Sequence, residues 1–363
     1  MIRTTAIVGT GLIGTSVGLA LTSRGVDVHL IDTDERSARV AAALGAGTVG
    51  APSQQVDIAV LAVPPQLIGE VLAEQRARGL ARAYTDVASV KDPASLGLPS
   101  GHRPADYVGG HPMAGGERAG PLAARRELFE DRTWVLTPSP DNSQSVLNGV
   151  LELVALCKAV PVVMDSAEHD RAIALVSHTP HLVSSLMAAC IQEAPREAVR
   201  LGGLGLRDIT RIAGGDPQLW TEILRANASA VAEVLGGLAK QLDSVLSALH
   251  DLALDDPQGR QRALSGLEDL LYRGQTGASA VRGRVANRGT RAETVSVAVA
   301  DRPGDLRRLL SVVEEFDRHT TSVSVVQSTE PSGLQLQISA PPLAAGLLEA
   351  RLEKEGWNIL VPA

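Results

Sequence analysis

Gly9-Thr10-Gly11-Leu12-Ile13-Gly14 constrains this chain more than any other segment, because it lies between a short apolar run, Thr5–Val8, and a helical pattern, Leu12–Arg24. The first glycine permits a tight turn, the second lets backbone approach a pyrophosphate, and the third lets helix and strand pack closely. A helix that starts there offers unpaired N–H groups and a positive dipole end to phosphates. The next apolar run, Asp27–Ile31, is followed by Asp32, at about the spacing of a ribose-binding acid. A carboxylate there accepts from a 2′-hydroxyl and repels a 2′-phosphate, so NAD is the expected cofactor; Asp34 and Arg36 nearby leave NADP open. Val63 and Pro64 end a third run, where such a sheet has its ligand crevice.

Residues 1–150 alternate short apolar runs with helical patterns. Strands are expected at Thr5–Val8, Asp27–Ile31, Ile58–Val63, Ala83–Val87, Tyr107–Gly109 and Thr133–Leu136, and helices at Leu12–Arg24 and Asp34–Leu44. This alternation argues for an α/β class with a Rossmann-type parallel sheet. Over 151–280 the strand signal fades. Ser145–Leu156, Ser166–Ala194, Gln218–Leu249 and Asp256–Arg273 show helical spacing, so an all-helical middle domain is expected. A stripe of Leu224, Val231, Val234, Leu235, Leu238, Leu242, Val245 and Leu249 fits either a helix–helix dimer interface or an intrachain core. Residues 273–291 carry Arg273, Arg282, Arg284, Arg288 and Arg291 and no acid. They read as a solvated linker, assigned to 281–292, or as a phosphate-binding patch.

Residues 293–363 change texture again. Strands are expected at Thr294–Ala300, Val323–Ser328, Leu334–Ser339 and Trp357–Val361, and helices at Leu306–Phe316 and Leu343–Lys354. Turns fall at Asp301–Gly304 and Glu330–Gly333, and Asp305 is placed to cap the first helix. This βαββαβ order predicts a small ferredoxin-like α+β domain.

The chain has 363 residues, room for two or three domains, and a net charge of −7. That balance argues against nucleic acid as a main partner. No apolar run of about 18 residues indicates a membrane span, and no signal peptide precedes the glycine turn. Two cysteines, Cys157 and Cys190, cannot build a disulfide framework or a cysteine zinc site, and they fit a reduced cytoplasm.

Three clusters carry polar residues that a core would not choose. In Asp86-Val87-Ala88-Ser89-Val90-Lys91, Ser89 can hydrogen-bond and Lys91 can hold an anion; a capping serine and a surface lysine are the plainer alternative. In Gly109-Gly110-His111-Pro112-Met113-Ala114-Gly115-Gly116-Glu117, a histidine sits in what reads as a tight loop, and imidazole suits proton removal from a hydroxyl. The third cluster joins Glu168-His169-Asp170 and Ser177-His178-Thr179-Pro180-His181 to Arg207-Asp208-Ile209-Thr210-Arg211. Arg211 offers a planar fork for a carboxylate, and Asp208 lies one turn earlier to orient it. A metal site at His169, His178 and His181 is weighed and not adopted, since neither cysteines nor a His-Glu-x-x-His spacing supports it.

With Asp216-Pro217 and Trp220 extending the last cluster, these motifs in this order resemble the prephenate dehydrogenase family of tyrosine biosynthesis over nearly the whole chain. The resemblance implies NAD(P) on a Rossmann domain, dimerisation through a helical domain, and oxidation of prephenate with loss of carbon dioxide to 4-hydroxyphenylpyruvate. It implies His111 as catalytic base, hydrogen-bonded by Ser89, and Arg211, supported by Asp208, as the clamp on a substrate carboxylate. It further implies that His178 and His181 line the substrate pocket and that Glu117 lies at its mouth. Thr179 and Arg207 depart from the common pattern without removing a group the chemistry needs. Residues 293–363 resemble an ACT domain, which implies feedback control by an amino acid such as tyrosine, with Asp301–Leu306 at the effector loop. Three other readings stay open. Arogenate dehydrogenase is one. A β-hydroxyacid dehydrogenase, normally dependent on a helical-domain lysine, finds no motif around Lys158 or Lys240. The third is a non-catalytic NAD- and amino-acid-binding regulator.

Overall fold

The computed structural model describes residues 1–99, 103–116, 118–254, 256–286, 293–300, 305–314, 322–327, 333–340 and 342–360. They form two compact units, Met1–Asp243 and Ser244–Ala363. The first unit opens with β1 (Thr4–Val8), α1 (Leu12–Thr22), β2 (Asp27–Ile31), α2 (Glu35–Ala43), β3 (Thr48–Val49), β4 (Val56–Leu61), α3 (Ile68–Ala77), β5 (Ala81–Asp86) and β6 (Tyr107–Pro112). It continues through β7 (Thr133–Thr137), α4 (Gln144–Leu156) and β8 (Val160–Val163). The eight strands make one sheet in the order β3-β2-β1-β4-β5-β6-β7-β8.

Strands β1 to β6 are parallel, as expected of βαβ units. Strand β7 runs antiparallel to β6, and β8 follows β7 in parallel, so the sheet is mixed. The sheet also continues past residue 150, through Val163. The strand signal of Val160–Val163 is weak because the run has four residues, one of them proline. Alternate residues face opposite cores. Ile7 and Val60 pack with Val17 and Leu21 of α1 and with Val150, Leu153 and Val154 of α4. Ala6 and Leu61 pack with Ile68 and Leu72 of α3 on the other face.

Helices follow the sheet: α5 (Ser166–Ile173), α6 (Thr179–Gln192), α7 (Arg196–Val199), α8 (Leu204–Arg211), α9 (Pro217–Ala226), α10 (Ala228–Ala253) and α11 (Pro257–Ala286). A π-helical turn, Ala174–His178, joins α5 to α6. The 27-residue stretch Ser166–Gln192 has the length and apolarity of a membrane span. Four of its buried polar residues, His169, Asp170, His178 and Ser184, are instead bonded to other elements of the first unit. The stripe expected as one helix from Gln218 breaks at Asn227. Val231 of α10 is buried, whereas Leu238 and Leu242 are exposed, so the core formed by the described residues does not fill that stripe.

In the second unit α11 extends through Ala286, so the segment expected as a linker from residue 281 begins as helix; 287–292 lie outside the described residues. Arg273 there pairs with Asp269 at 2.9 Å, one turn earlier. The order then runs β9 (Glu293–Ala300), α12 (Asp305–Glu314), β10 (Ser322–Gln327), β11 (Gly333–Ala340), α13 (Pro342–Lys354) and β12 (Asn358–Leu360). These strands form an antiparallel sheet ordered β10-β11-β9-β12. Val295, Val297 and Ile338 of the sheet bury against Leu309 and Val312 of α12 and Leu348 and Leu352 of α13. Asp305 is the first residue of α12, and the turns at 301–304 and 330–332 lie outside the described residues.

Candidate active site

The β1–α1 turn has the sterics of a dinucleotide cradle. Gly9 has φ +100°, and a Cβ there would lie 2.3 Å from the Ala62 carbonyl oxygen. A Cβ on Gly14 would lie 1.9 Å from the Gly9 carbonyl oxygen, so helix and strand meet only without one. At Gly11 a Cβ would meet nothing within 4 Å, which leaves open space over the start of α1, where Leu12 and Ile13 begin the helix. No side chain caps α1 and its first turn holds no acid, so its N–H groups face that space unmatched. Asp32 is held by Thr10, whose N–H and hydroxyl donate to Oδ2 at 2.6 and 2.7 Å, and by the Asp34 N–H at 2.8 Å. Its remaining lone pairs suit ribose hydroxyls. Val63 and Pro64 follow β4, beside the Ala62 that Gly9 abuts. These residues fit NAD.

His111 lies on β6 itself, paired with Val135, and not on the loop its glycines predict. The glycines serve packing. A Cβ on Gly109 would approach Thr137 Oγ1 to 2.6 Å, and one on Gly110 would approach the Asp86 carbonyl oxygen to 2.6 Å and Trp134 Nε1 to 3.0 Å. Beneath them lies a buried ion pair. Lys91 is fully buried, and its Nζ donates to Asp86 Oδ1 at 2.7 Å and to the Ala88 and Val90 carbonyls at 2.9 Å. All three ammonium protons are spent, so Lys91 is corrected from an anion-holding residue to one that braces the floor of the site. Asp86 Oδ2 accepts from Tyr107 Oη at 2.5 Å. Burial, and then the Asp86 carboxylate, push the Tyr107 phenol well above its usual value.

His111 Nδ1 lies 2.9 Å from His169 Nε2, and His169 Nδ1 lies 2.7 Å from Asp170 Oδ1. The hydrogen bond expected from Ser89 is absent among the described residues: Ser89 is half-buried in the turn after β5, and His169 takes the position beside the imidazole. Burial, reinforced by the neighbouring Lys91, His169 and His178, holds the His111 pKa well below its ordinary value. His111 is therefore neutral near pH 7.

Asn227, at the break between α9 and α10, donates from Nδ2 to the Asp170 carbonyl at 2.9 Å and to His178 Nδ1 at 3.2 Å. An amide nitrogen only donates, so His178 accepts at Nδ1 and keeps its proton on Nε2. Burial lowers its pKa to about 4, which keeps it neutral. His181, one turn on, stacks on Trp220 with centroids 3.6 Å apart, over Gly215, where a Cβ would lie 2.3 Å from Trp220 Nε1. His181 Nδ1 is buried with no hydrogen-bond partner among the described residues. Ser184 Oγ bonds the Ile209 carbonyl at 2.5 Å and so ties α6 to α8. Asp208 and Arg211 lie on α8, exposed and at the spacing of one helical turn. Glu117 lies outside the described residues.

His169, Asp170, Asn227 and Trp220 join His111, His178 and His181 into one bonded and stacked cluster. In the Glu168-His169-Asp170 motif the sequence suggests no role for Asp170, and for His169 only the metal site that is not adopted. Asn227 left no signal, because it interrupts what reads as a single apolar stripe. His169 spends both ring nitrogens on His111 and Asp170, and His178 spends Nδ1 on Asn227, so two of the three histidines considered for a metal have their lone pairs engaged. Lys158 pairs with Glu130 at 2.7 Å, on a different part of the unit from these histidines.

Comparison with known proteins matches the family model "Prephenate dehydrogenase, nucleotide-binding domain" to residues 17–163 and "Prephenate dehydrogenase, dimerization domain" to residues 165–257. A probable prephenate dehydrogenase, NovF, of Streptomyces niveus is 40% identical over 98% of this chain and 99% of its own. This chain belongs to the prephenate dehydrogenase family. The prephenate dehydrogenase of Bacillus subtilis is 26% identical, with 97% of each chain covered. Among solved structures, an Aquifex aeolicus prephenate dehydrogenase in complex with hydroxyphenyl propionate and NAD+ shares the fold, with a TM-score of 0.64, 24% identity, and coverage of 76% of this chain and 98% of that one. A Synechocystis arogenate dehydrogenase matches with a TM-score of 0.57 and 28% identity, over 74% of this chain and 99% of that one.

Proposed function

We propose that this chain catalyses the NAD-dependent oxidative decarboxylation of prephenate to 4-hydroxyphenylpyruvate in tyrosine biosynthesis. The observation that carries the reading is His111: a buried imidazole held neutral on β6 of the same sheet whose β1–α1 turn fits a dinucleotide. Gly9, Gly11, Leu12, Ile13 and Gly14 would hold the pyrophosphate, Asp32 the adenosine ribose, and Val63 and Pro64 would flank the cofactor. NAD, when bound, supplies the acceptor for the hydride lost from C4 of the substrate ring.

His111 Nε2 takes the proton of the C4 hydroxyl as that carbon is oxidised. The ring carboxylate then departs as carbon dioxide, which restores aromaticity and supplies the driving force. The phenolate oxygen left behind takes the proton back from His111. Ser89 bounds the hydroxyl's side of the site. His178, neutral with its proton on Nε2, offers a donor, and the unpartnered Nδ1 of His181 offers a second polar contact. Arg211, oriented by Asp208, grips a substrate carboxylate. We expect Arg211→Ala to raise KM roughly 10–150-fold, from a charged hydrogen bond worth about 1.5–3 kcal/mol. Steady-state kinetics on prephenate check this, and an unchanged KM removes Arg211 from the site.

Arogenate is the second substrate considered, favoured by the fold shared with the Synechocystis enzyme. Following nicotinamide absorbance with each substrate in turn separates the two: the higher kcat/KM falls on prephenate, and preference for arogenate reverses the assignment. Activity on neither substrate leaves the regulator reading.

A homodimer is supported by the matched dimerization domain and by the exposed apolar residues of the same segment, among them Leu186, Leu201, Leu204, Leu238 and Leu242. The βαββαβ order and antiparallel sheet of residues 293–360 support a ferredoxin-like, ACT-type module that takes tyrosine as effector. Titration calorimetry of the full chain is expected to register heat with tyrosine; no heat with any aromatic amino acid rejects the sensor. The free thiols Cys157 and Cys190 support a cytoplasmic location.

A further inference from the structure

We infer that His169 and Asp170 are positioning residues that fix the tautomer of His111 and take up its positive charge when the substrate proton arrives. The inference rests on the function proposed above. Three polar groups stand in line: His111 Nδ1 is 2.9 Å from His169 Nε2, and His169 Nδ1 is 2.7 Å from Asp170 Oδ1. His169 is completely buried and Asp170 nearly so, so water cannot substitute for either bond. The two imidazoles meet edge to face, with planes inclined by 74°.

The direction of the bonds follows from the far end. Asp170 also accepts the Lys91 N–H at Oδ1 and the Asp92 N–H at Oδ2, both at 2.8 Å. A carboxylate in that position only accepts, so His169 donates from Nδ1. Neutral His169 then has a lone pair at Nε2, and His111 must donate to it from Nδ1. The lone pair of His111 is thereby left on Nε2, away from the relay, where a substrate hydroxyl can reach it. The reverse tautomer would point two lone pairs at each other in a dry site.

Charge movement closes without an added reactant. The hydroxyl proton passes to His111 Nε2. The Nδ1 proton of His111 passes to His169 Nε2, and His169 becomes an imidazolium bonded to Asp170. Both protons return when the phenolate is reprotonated, so the relay ends as it began. The other groups facing His111 are the Lys91 ammonium, neutralised by Asp86, and neutral His178; neither can accept its proton. Asp170 is thus the carboxylate that balances the transient cation.

Two measurements test this. Nitrogen spectra of isotope-labelled histidine in the cofactor-free wild-type protein, assigned with His111→Asn and His169→Asn, are expected to show both rings protonated at Nδ1. A proton on Nε2 of His111 overturns the inference. In kinetics, His169→Asn is expected to lower kcat about 10–100-fold, part of what a general base contributes, with KM changed less than about threefold. The acid limb of its kcat profile should move to higher pH, because His169 is one of the groups that hold the His111 pKa down. A purely structural role would shift KM and melting temperature and leave that limb in place, and an unmoved limb with kcat within about twofold of wild type overturns the relay. Failure of the wild type itself to oxidise prephenate would strike the functional reading, whereas the tautomer result would stand.

Discussion

His111→Asn lowers kcat on prephenate by about 10²–10⁴-fold, the usual contribution of a general base. Asparagine keeps a polar side chain of similar reach and loses the basic nitrogen. The fold should survive, because β6 is held by its ladder to β7 and by the glycine contacts with Asp86 and Trp134, none of which involve the imidazole. The same residue sets the pH dependence. Neutral imidazole is the active form, so kcat/KM is level at high pH and falls as pH drops through the His111 pKa. Burial places that pKa well below the ordinary value of about 6.5, so the fall belongs on the acid side of it. Near-native turnover by His111→Asn, or a wild-type fall centred above about pH 7, contradicts the assignment.

Lys91→Met unfolds the first unit more readily, by about 3–5 kcal/mol, the cost of leaving one charge of a buried pair alone. In a unit of this size that lowers Tm by on the order of 10 °C. Asp86 would keep its bonds from Tyr107, Ala88 and Gly110 but lose its only counter-charge among the described residues. Removing the nearby cation also lets the His111 pKa rise, so the acid limb of activity moves to higher pH. Thermal unfolding and the pH profile together check this. A variant of native Tm with a raised KM would instead return Lys91 to the substrate site.

The parts of the fold set by backbone sterics and regular periodicity were legible in the sequence. The Gly9–Gly14 turn, strands β1, β2, β4 and β5, and the helical run from Ser166 follow from glycine geometry and from repeats of two and 3.6 residues. Elements that work against propensity were not. Gly109-Gly110-His111-Pro112 reads as a loop because glycine and proline weaken strands, yet here they continue β6, since no Cβ fits above Asp86 and Thr137. Lys91 reads as a surface cation because its partner, five residues earlier, faces the same interior only after the chain turns past β5. The His111–His169 contact spans 58 residues, and no local pattern announces it. What the sequence revealed of the site was its residue types; tertiary packing decided which of them touch.

The most direct test of the account is to give the purified chain prephenate and NAD and follow reduced nicotinamide and carbon dioxide together. The account predicts both products in equal amounts, with 4-hydroxyphenylpyruvate as the organic product. Formation of neither, or of reduced nicotinamide without carbon dioxide, would contradict it.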